Sequence, residues 1–379
     1  MNKCLMVITG AFHTGGGIAA VNRLVISALA EAGYKLDIYC LTEDDSTIDA
    51  RYINPSDANY QVFGGDKLRY VPSVWQALLR NEYDLVFSDH VNVASTLAFP
   101  SKLRMCCYVV WLHGVEVFPP KPDFEGRIGL QAAWKGLASS EYTKQKTYEY
   151  FPRLPVTACD LALDPVRYPE ESLGLREPSK SDLSMTAVNG SIQKLDRQMI
   201  LNVGQMVSET RDKGQGCLLK AFHSVYELFT NAQLVLVGQG SDYSRLLILA
   251  RSFPLQVQRQ IFMPGYVDDK LLNRLYQACY VLAMPSIGEG FGLVYLEAMS
   301  RAKPCLGGNI DATPYLVRSG ETGLLVDDPK SPEQVAEKII WLLSHPIEAK
   351  EMGMAGYHLV NSQYLFSHFQ TRFWQAIFS

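Results

Sequence analysis

This sequence of 379 residues lacks the signals of several common protein classes. Its 35 lysines and arginines nearly balance 39 aspartates and glutamates, and the formal net charge of −4 argues against nucleic acid as a partner. The most apolar stretch, residues 106–112, is far shorter than the roughly 18 residues of a membrane helix. The N-terminal residues contain no signal-peptide pattern. We therefore expect a cytoplasmic protein.

Patterns for metal binding are also absent. The seven histidines show no H-x-x-x-H or H-E-x-x-H spacing, and none of the eight cysteines forms a C-x-x-C. Most of the cysteines lie inside apolar, strand-like runs, which favours buried free thiols over disulfides or metal ligands. The sequence therefore predicts no metal site. Its 47% of hydrophobic residues is enough to build two cores.

Short apolar runs alternate with amphipathic segments in two successive series. Strands are predicted in the first half at residues 5–9, 36–41, 84–88 and 108–112, and in the second half at 199–203, 233–237, 261–263 and 280–285. Helical segments between these runs imply an α/β fold with parallel, doubly wound sheets. In such sheets, ligands bind at the carboxyl ends of the strands.

Proline, glycine and scattered charges interrupt this alternation between the two series. We predict an N-terminal Rossmann-like domain over residues 1–163, an irregular linker over 164–197 and a C-terminal Rossmann-like domain over 198–362. The tail, residues 363–379, is helical in pattern and rich in aromatic residues. Aromatic residues at helical spacing are more typical of a packing face than of a ligand-binding or membrane face.

The strongest functional signal is MPSIGEGFGLVYLEA, at residues 284–298. A strand ends, a glycine-rich turn follows and a helix begins, so the helix start offers free N–H groups suited to a diphosphate. Glu289 lies in the turn, where its carboxylate could accept hydrogen bonds from sugar hydroxyls. Glu297, further into the helix, could bind the paired hydroxyls of a ribose. The alternative is an ordinary helix start with a solvated glutamate.

A second signal, NVGQMVSETRDKG at residues 202–214, follows the first strand of the second half. Lys213 precedes a glycine at a predicted helix start. A lysine at this place can neutralise a leaving diphosphate as a point charge. A solvated lysine before a glycine is the alternative.

Two weaker signals occur in the first half. His113 directly follows an apolar strand, on the edge where ligands bind, although such a histidine is more often a structural hydrogen-bonding group. The triple glycine at residues 15–17 also suits a plain tight turn. In the second half, VGQG at residues 237–240 lacks the third glycine of a dinucleotide-binding fingerprint and is rejected as one.

Together these segments resemble the retaining glycosyltransferases of family 4. The resemblance runs over nearly the whole chain and is strongest over residues 199–327, where Glu289 and Glu297 match the E-x7-E pattern of the family. It implies a GT-B fold, in which two facing Rossmann-like domains with parallel sheets form an interdomain cleft and the last helix returns to the first domain. It also implies transfer of a hexose from a nucleoside diphosphate sugar, with UDP-glucose weakly preferred.

The resemblance also assigns roles to individual residues. The predicted catalytic residues are His113, Lys213 and Glu289. The predicted donor-binding residues are Gly16, Gly17, Gln205, Arg211, Lys213, Tyr266, Val267, Glu289, Phe291, Gly292, Leu293, Val294 and Glu297. Among the catalytic and donor-binding residues, Glu297 would hold the ribose, Lys213 would bind the diphosphate and His113 would contact the transferred sugar.

One departure from the family bears on the mechanism. The family usually has arginine after the glycine matched by Gly204, and here that residue is Gln205. Arg211, in the same loop as Lys213, is the candidate that would replace the missing charge. Because no D-x-D triplet occurs, a metal-bridging transferase is disfavoured, and neither a metal nor another cofactor is expected.

The expected acceptor is a glycan or a lipid-linked acceptor in surface-polysaccharide assembly, which is compatible with peripheral contact at the inner face of a membrane. Two alternatives stay open. One is a noncatalytic nucleotide-sugar-binding subunit, suggested by Gln205. The other is a different enzyme on the same fold, such as a nucleotide-sugar epimerase or a phosphorylase-like enzyme. Turnover of the donor distinguishes the first alternative, and the identity of the product distinguishes the second.

Overall fold

The computed structural model describes residues 2–114, 116–118, 123–170, 183–195, 198–207 and 213–378. The chain divides into two compact units, one formed by Met1–Pro169 with Leu365–Ser379 and the other by Glu170–Tyr364. Each unit has its own parallel sheet and its own hydrophobic core.

The first unit is built on a seven-stranded parallel sheet. Its strands are β1 (Lys3–Ile8), β2 (Lys35–Cys40), β3 (Ala58–Val62), β4 (Leu85–Ser88), β5 (Val109–Leu112), β6 (Lys135–Ala138) and β7 (Val156–Ala158). Its helices are α1 (Gly17–Glu31), α2 (Lys67–Arg80), α3 (Val91–Lys102), α4 (Phe124–Ala132) and α5 (Glu141–Tyr150), with a 3₁₀ turn at Pro55–Asp57. The strand order β3-β2-β1-β4-β5-β6-β7 reverses between β1 and β4, which is where sheets of this kind bind ligands.

Local sequence explains these elements. Every residue of β4 and β5 is buried, as expected for strands of a parallel sheet that is covered on both faces. The helices α2 to α5 begin where a side chain accepts hydrogen bonds from the first turn. Asp66 does so for α2 and Ser140 for α5.

The second unit contains a hairpin and a six-stranded parallel sheet. The strands are β8 (Ser184–Thr186) and β9 (Ile192–Lys194) in the antiparallel hairpin, and β10 (Met199–Val203), β11 (Gln233–Val237), β12 (Ile261–Gly265), β13 (Val281–Met284), β14 (Cys305–Gly308) and β15 (Gly323–Val326) in the sheet. The helices are α6 (Gln215–Leu228), α7 (Tyr243–Arg251), α8 (Leu255–Gln258), α9 (Asp269–Ala278), α10 (Leu293–Met299), α11 (Thr313–Leu316), α12 (Pro332–Ser344) and α13 (Pro346–Gln363). The order β12-β11-β10-β13-β14-β15 places the reversal between β10 and β13.

The hairpin lies within residues 164–197, the segment that the sequence analysis predicts to be irregular. Its two strands have three residues each and little burial, so no apolar run indicates them. The remainder of the segment is partly outside the described residues.

The last helix, α14 (Phe366–Phe378), belongs to the first unit. Phe369 and Phe373 are fully buried. The ammonium group of Lys135 donates a hydrogen bond to the main-chain oxygen of Ala376 at 2.9 Å, which satisfies a carbonyl group at the end of the helix. The buried aromatic residues of this helix therefore form a packing face, as their spacing predicts, whereas Phe378 is exposed.

None of the eight cysteines, all of which lie within the described residues, forms a disulfide bond, and five of them are buried, namely Cys4, Cys40, Cys159, Cys279 and Cys305. Within the ranges given above, no helix combines the length and apolarity needed to cross a membrane. The same ranges hold no group of three or more histidine, cysteine, aspartate or glutamate side chains arranged for a metal ion.

Candidate functional site

The two signals of the second unit meet at the carboxyl edge of its sheet. Lys213 lies in the loop between β10 and α6, and Glu289 lies in the turn between β13 and α10. The Lys213 Nζ atom is 2.5 Å from Glu289 Oε1, although 76 residues separate the two in sequence. The side chain of Glu289 is 11% exposed and that of Lys213 is 22% exposed. The contact is therefore a shielded ion pair that holds both side chains in one geometry.

Glycines allow the neighbouring loops to approach each other closely. Gly214 has a φ of +77°, and a Cβ atom there would lie 2.4 Å from the main-chain oxygen of Pro285. A Cβ atom at Gly238 would lie 1.9 Å from the main-chain oxygen of Gly204. The first glycine of VGQG, rejected above as a dinucleotide fingerprint, is therefore required for close packing of two loops.

Asp311, a residue that the sequence analysis missed, fixes the main chain at Glu289. It follows β14, and its Oδ2 accepts hydrogen bonds from the main-chain N–H groups of Gly288 and Glu289, each at 2.8 Å. Its Oδ1 accepts hydrogen bonds from the N–H and hydroxyl groups of Thr313, each at 2.9 Å. Burial, with a contribution from the charge of Glu289, raises the pKa of Asp311 to about 6 despite these hydrogen bonds. An acidic residue shortly after a strand end is the sequence signal that could have indicated it.

Glu297 on α10 is oriented by a tyrosine from α9. The hydroxyl group of Tyr276 donates a hydrogen bond to Glu297 Oε2 at 2.6 Å. Tyr276 is fully buried, whereas Glu297 is half-buried. The carboxylate is thus held by a rigid partner in the core and is still accessible from the surface.

The other predicted donor-binding residues of this unit have different environments. Residues 291–294 lie at the start of α10 and are buried or half-buried. Tyr266, which follows β12, is 69% exposed, and the adjacent Val267 is buried. Gln205 is exposed. Arg211 lies outside the described residues.

In the first unit, polar groups converge where β1 and β4 end. Asp89 is fully buried, and its Oδ2 accepts hydrogen bonds from the Thr9 N–H group at 2.8 Å, the Thr9 hydroxyl at 2.6 Å and Asn22 Nδ2 at 2.7 Å. Its Oδ1 has no hydrogen-bond partner among the described residues. Burial raises the pKa of this carboxyl group.

His113 follows β5, and its Nε2 lies 2.6 Å from the main-chain oxygen of Asp89. Because a carbonyl oxygen only accepts hydrogen bonds, Nε2 carries the hydrogen, and Nδ1 is an acceptor in the neutral ring. Burial lowers the pKa of His113, which favours the neutral ring at pH 7. Towards a ligand, the histidine is thus a hydrogen-bond acceptor at Nδ1 rather than a cation.

Gly16 and Gly17 come at the start of α1, after a loop that another missed carboxylate holds. Glu43 Oε1 accepts hydrogen bonds from three main-chain N–H groups within residues 11–14, at 2.7 to 3.0 Å. The hydroxyl group of Tyr60 donates to its Oε2. Burial alone would raise the pKa of Glu43, but these hydrogen bonds hold it below its ordinary value. The loop before α1 is therefore held by an ionised carboxylate.

The similarity to solved structures covers the whole chain. The structure of HepE from Anabaena, in complex with UDP and glucose, aligns with 100% of this chain and 99% of its own length, with a TM-score of 0.76 and 16% sequence identity. The similarity covers both units, and each unit has the strand order of a Rossmann-like sheet. The chain therefore has the GT-B fold that the sequence resemblance implies.

Most of the second unit also matches a sequence family. Residues 188–359, which include Lys213, Glu289 and Glu297, match the profile of the glycosyl transferases group 1 family. The chain is 34% identical over 164 residues to the D-rhamnosyltransferase WbpZ of Pseudomonas aeruginosa, a match that covers 42% of this chain and 40% of the relative. It is 33% identical over 159 residues to a GDP-mannose-dependent alpha-(1-6)-phosphatidylinositol monomannoside mannosyltransferase of Mycobacterium tuberculosis, covering 40% of each. The matches thus span about two fifths of the length of these curated relatives and relate the chain to group 1 glycosyltransferases.

Proposed function

We propose that the protein is a glycosyltransferase that moves a sugar from a nucleoside diphosphate donor to an acceptor. The observation that carries the proposal is the Lys213–Glu289 pair. It lies at the reversal between β10 and β13, inside the region that matches group 1 glycosyltransferases. This edge is where open α/β sheets bind nucleotides.

The pair offers two contacts suited to such a donor. Lys213 is a point charge that can stabilise the negative charge that grows on the diphosphate as the glycosidic bond breaks. Glu289 is an acceptor for the hydroxyl groups of the sugar. The two groups contact each other at 2.5 Å, so the donor would replace one ion pair by a lysine–diphosphate contact and a carboxylate–hydroxyl contact.

Other residues are proposed to bind the remaining parts of the donor. Glu297, oriented by Tyr276, would accept hydrogen bonds from the ribose hydroxyls. Tyr266 and Val267 would lie near the base. In the first unit, His113 would accept a hydrogen bond from the transferred sugar at Nδ1.

The finer details of the reaction are also proposals. We propose transfer of a hexose with retention of the anomeric configuration, by attack on the front face of the sugar through an oxocarbenium-like state. An oxygen of the leaving diphosphate would take the proton of the acceptor hydroxyl. Lys213 and Arg211 would meet the charge on the diphosphate without a metal ion, because the sequence has no D-x-D triplet. The acceptor would be a glycan or a lipid-linked acceptor of surface-polysaccharide assembly.

Binding and turnover of UDP-glucose and GDP-mannose test this proposal. The protein should bind one of the two in isothermal titration calorimetry and should release the nucleoside diphosphate slowly by hydrolysis. Lys213→Met should lower this rate on the order of 10²-fold. Lys350→Met, at an exposed lysine of α13, is the matched control and should leave the rate unchanged. Addition of EDTA should not change the rate either.

Three results would contradict the proposal in different ways. Binding without hydrolysis or transfer to any acceptor would favour a noncatalytic nucleotide-sugar-binding subunit. Release of an isomerised nucleotide sugar would indicate an epimerase. An absolute requirement for Mg²⁺ or Mn²⁺, revealed by EDTA, would reject the metal-independent mechanism while leaving the activity itself in place.

A further inference from the structure

The main chain of Glu289 is held on both sides by a single loop. Asp311 Oδ2 accepts a hydrogen bond from its N–H group at 2.8 Å, and the N–H group of Ala312 donates to its main-chain oxygen at 3.2 Å. The N–H group of Gly288 also donates to Asp311 Oδ2 at 2.8 Å. The turn that carries Glu289 is therefore anchored to the loop after β14, which is the next strand of the sheet.

Asp311 makes these contacts from an unfavourable main-chain conformation. Its φ of +58° lies in the left-handed region, which residues other than glycine adopt at an energetic cost. Four hydrogen bonds converge on its carboxylate, two from the Glu289 turn and two from Thr313. Strained residues that persist because their surroundings fix them cluster at functional sites.

The negative charge of Asp311 acts on the side chain of Glu289 as well. Repulsion between the two carboxylates disfavours rotamers that bring Glu289 towards Asp311. Attraction to the ammonium group of Lys213 favours the rotamer that the structure shows, with Nζ and Oε1 2.5 Å apart. The main-chain hydrogen bonds and both electrostatic interactions thus favour one orientation of Glu289.

We propose that Asp311 is a positioning residue for the donor sugar: its carboxylate fixes the Gly288–Glu289 main chain so that the Glu289 side chain, which pairs with Lys213 in this structure, is directed to the sugar hydroxyls when the donor binds. This inference rests on the function proposed above. It concerns the sugar rather than the nucleotide, because Glu289 is the proposed sugar contact. Loss of Asp311 should therefore reduce the affinity that the sugar adds and spare the affinity for the nucleoside diphosphate.

Two substitutions at Asp311 and one control test this role in the full chain. Asp311→Gly removes the carboxylate and relieves the main-chain strain, because glycine adopts a φ near +58° readily. Asp311→Asn keeps one oxygen acceptor and a residue that tolerates the left-handed region. Asp327→Asn is the matched control, since Asp327 follows the adjacent β15, is exposed and accepts a hydrogen bond from Asn309 at 2.8 Å.

The measurement compares affinity for UDP with that for UDP-glucose by isothermal titration calorimetry, with GDP and GDP-mannose as the second pair. Asp311→Gly is expected to weaken binding of the nucleotide sugar about tenfold or more, and Asp311→Asn about threefold. Affinity for the nucleoside diphosphate should stay within about twofold of wild type in both variants. Asp327→Asn should change neither affinity. In a Glu289→Ala background, Asp311→Gly should have no further effect on the affinity for the nucleotide sugar.

Several outcomes would overturn the inference. Equal losses of affinity for the nucleoside diphosphate and the nucleotide sugar would show that Asp311 only supports the fold. Wild-type affinities in both Asp311 variants would show that it does not position Glu289. If Asp311→Gly does not fold, the same comparison with Asp311→Asn decides. If the wild-type protein binds no nucleotide sugar, the proposed function fails and the inference about Asp311 fails with it. If the wild type binds a nucleotide sugar and the Asp311 variants bind it equally well, only the inference about Asp311 fails.

Discussion

Removing the hydroxyl group of Tyr276 separates the orientation of Glu297 from its contact with a ligand. Tyr276 is fully buried, and its hydroxyl group donates a hydrogen bond to Glu297 Oε2 at 2.6 Å. Tyr276→Phe keeps the ring in the core and removes the hydroxyl group, whereas Glu297→Ala removes the proposed ribose contact. The two single variants and their combination form a double-mutant cycle.

The two substitutions should change the donor Kd by different amounts. The Tyr276–Glu297 hydrogen bond is present before and after binding, whereas the Glu297–ribose hydrogen bond forms only on binding. Glu297→Ala loses a charged hydrogen bond to the ribose, about 1.5–3 kcal/mol, so the donor Kd should rise about 10- to 150-fold. The tyrosine bond exists before and after binding, and most of its energy therefore cancels. What is left is the cost of ordering a released Glu297 side chain, about 0.5–1.5 kcal/mol, which raises Kd about 2- to 12-fold. In the Glu297→Ala background, Tyr276→Phe should not change Kd.

Calorimetric titration with the nucleoside diphosphate is the assay, because the ribose contact does not require the sugar. Tyr280→Phe is the matched control, since the hydroxyl group of Tyr280 donates to the main-chain oxygen of Leu342 at 2.9 Å. This control should lower stability without changing Kd. If Tyr276→Phe raises Kd equally in the wild-type and Glu297→Ala backgrounds, the tyrosine does not act through Glu297. An unchanged Kd in Glu297→Ala would reject the ribose contact itself.

Three further predictions concern charge and protonation. Arg211→Ala should lower the transfer rate about as much as Lys213→Met, on the order of 10²-fold, and Gln205→Arg should then change the rate little. An unchanged transfer rate in Arg211→Ala, together with a higher rate in Gln205→Arg, would contradict this prediction. His113→Asn, whose amide oxygen can replace the Nδ1 acceptor, should keep more activity in steady-state kinetics than His113→Gln, and the opposite order would contradict the assigned tautomer. The pKa of Asp311, about 6, lies above its ordinary value of 3.8, so the folded chain binds this proton more tightly than the unfolded chain. The stabilisation from this proton is complete below pH 3.8 and is lost as the pH rises through 6. The urea midpoint of the wild type should therefore fall across this range relative to that of Asp311→Asn. A difference in midpoint that stays constant with pH would contradict the raised pKa of Asp311.

The sequence predicts strands best where both faces of a sheet are buried. The strands β1, β5, β10 and β13 are apolar runs, and the pattern indicates each of them. The pattern does not indicate β6, which begins with lysine and contains glycine, or β14, which ends in two glycines. Lys135 is buried in β6 because its ammonium group binds Ala376, 241 residues later in the chain. No local pattern contains that information.

The difference between local patterns and contacts distant in sequence also separates the predicted site residues from the missed ones. Lys213 and Glu289 each lie in a glycine-containing loop after an apolar strand, which is a local pattern. Asp311 follows β14, a strand that the pattern does not indicate, and Tyr276 lies within a helix. The Glu289 N–H group and the Glu297 carboxylate that they contact lie 22 and 21 residues away in sequence. These partners meet because of the strand order and the packing of helices. The missed residues hold the predicted ones in place, and the three-dimensional structure is needed to identify them.

The arrangement of charges constrains how a diphosphate is accommodated. Glu289 and Asp311 place two carboxylates near the ends of β13 and β14, and Lys213 is already paired with the first of them at 2.5 Å. A diphosphate adds further negative charge, and Gln205 is neutral where the resembling family has arginine. Under the function proposed above, the main-chain N–H groups at the start of α10 and the charge of Arg211 would supply the missing positive potential. In this proposal the N–H groups, which the fold fixes, would act on the bound donor and on the leaving group alike. Lys213 and Arg211, two residues apart in sequence, would be most effective when charge moves onto the diphosphate. Substitution of either residue should therefore lower kcat more than it raises KM.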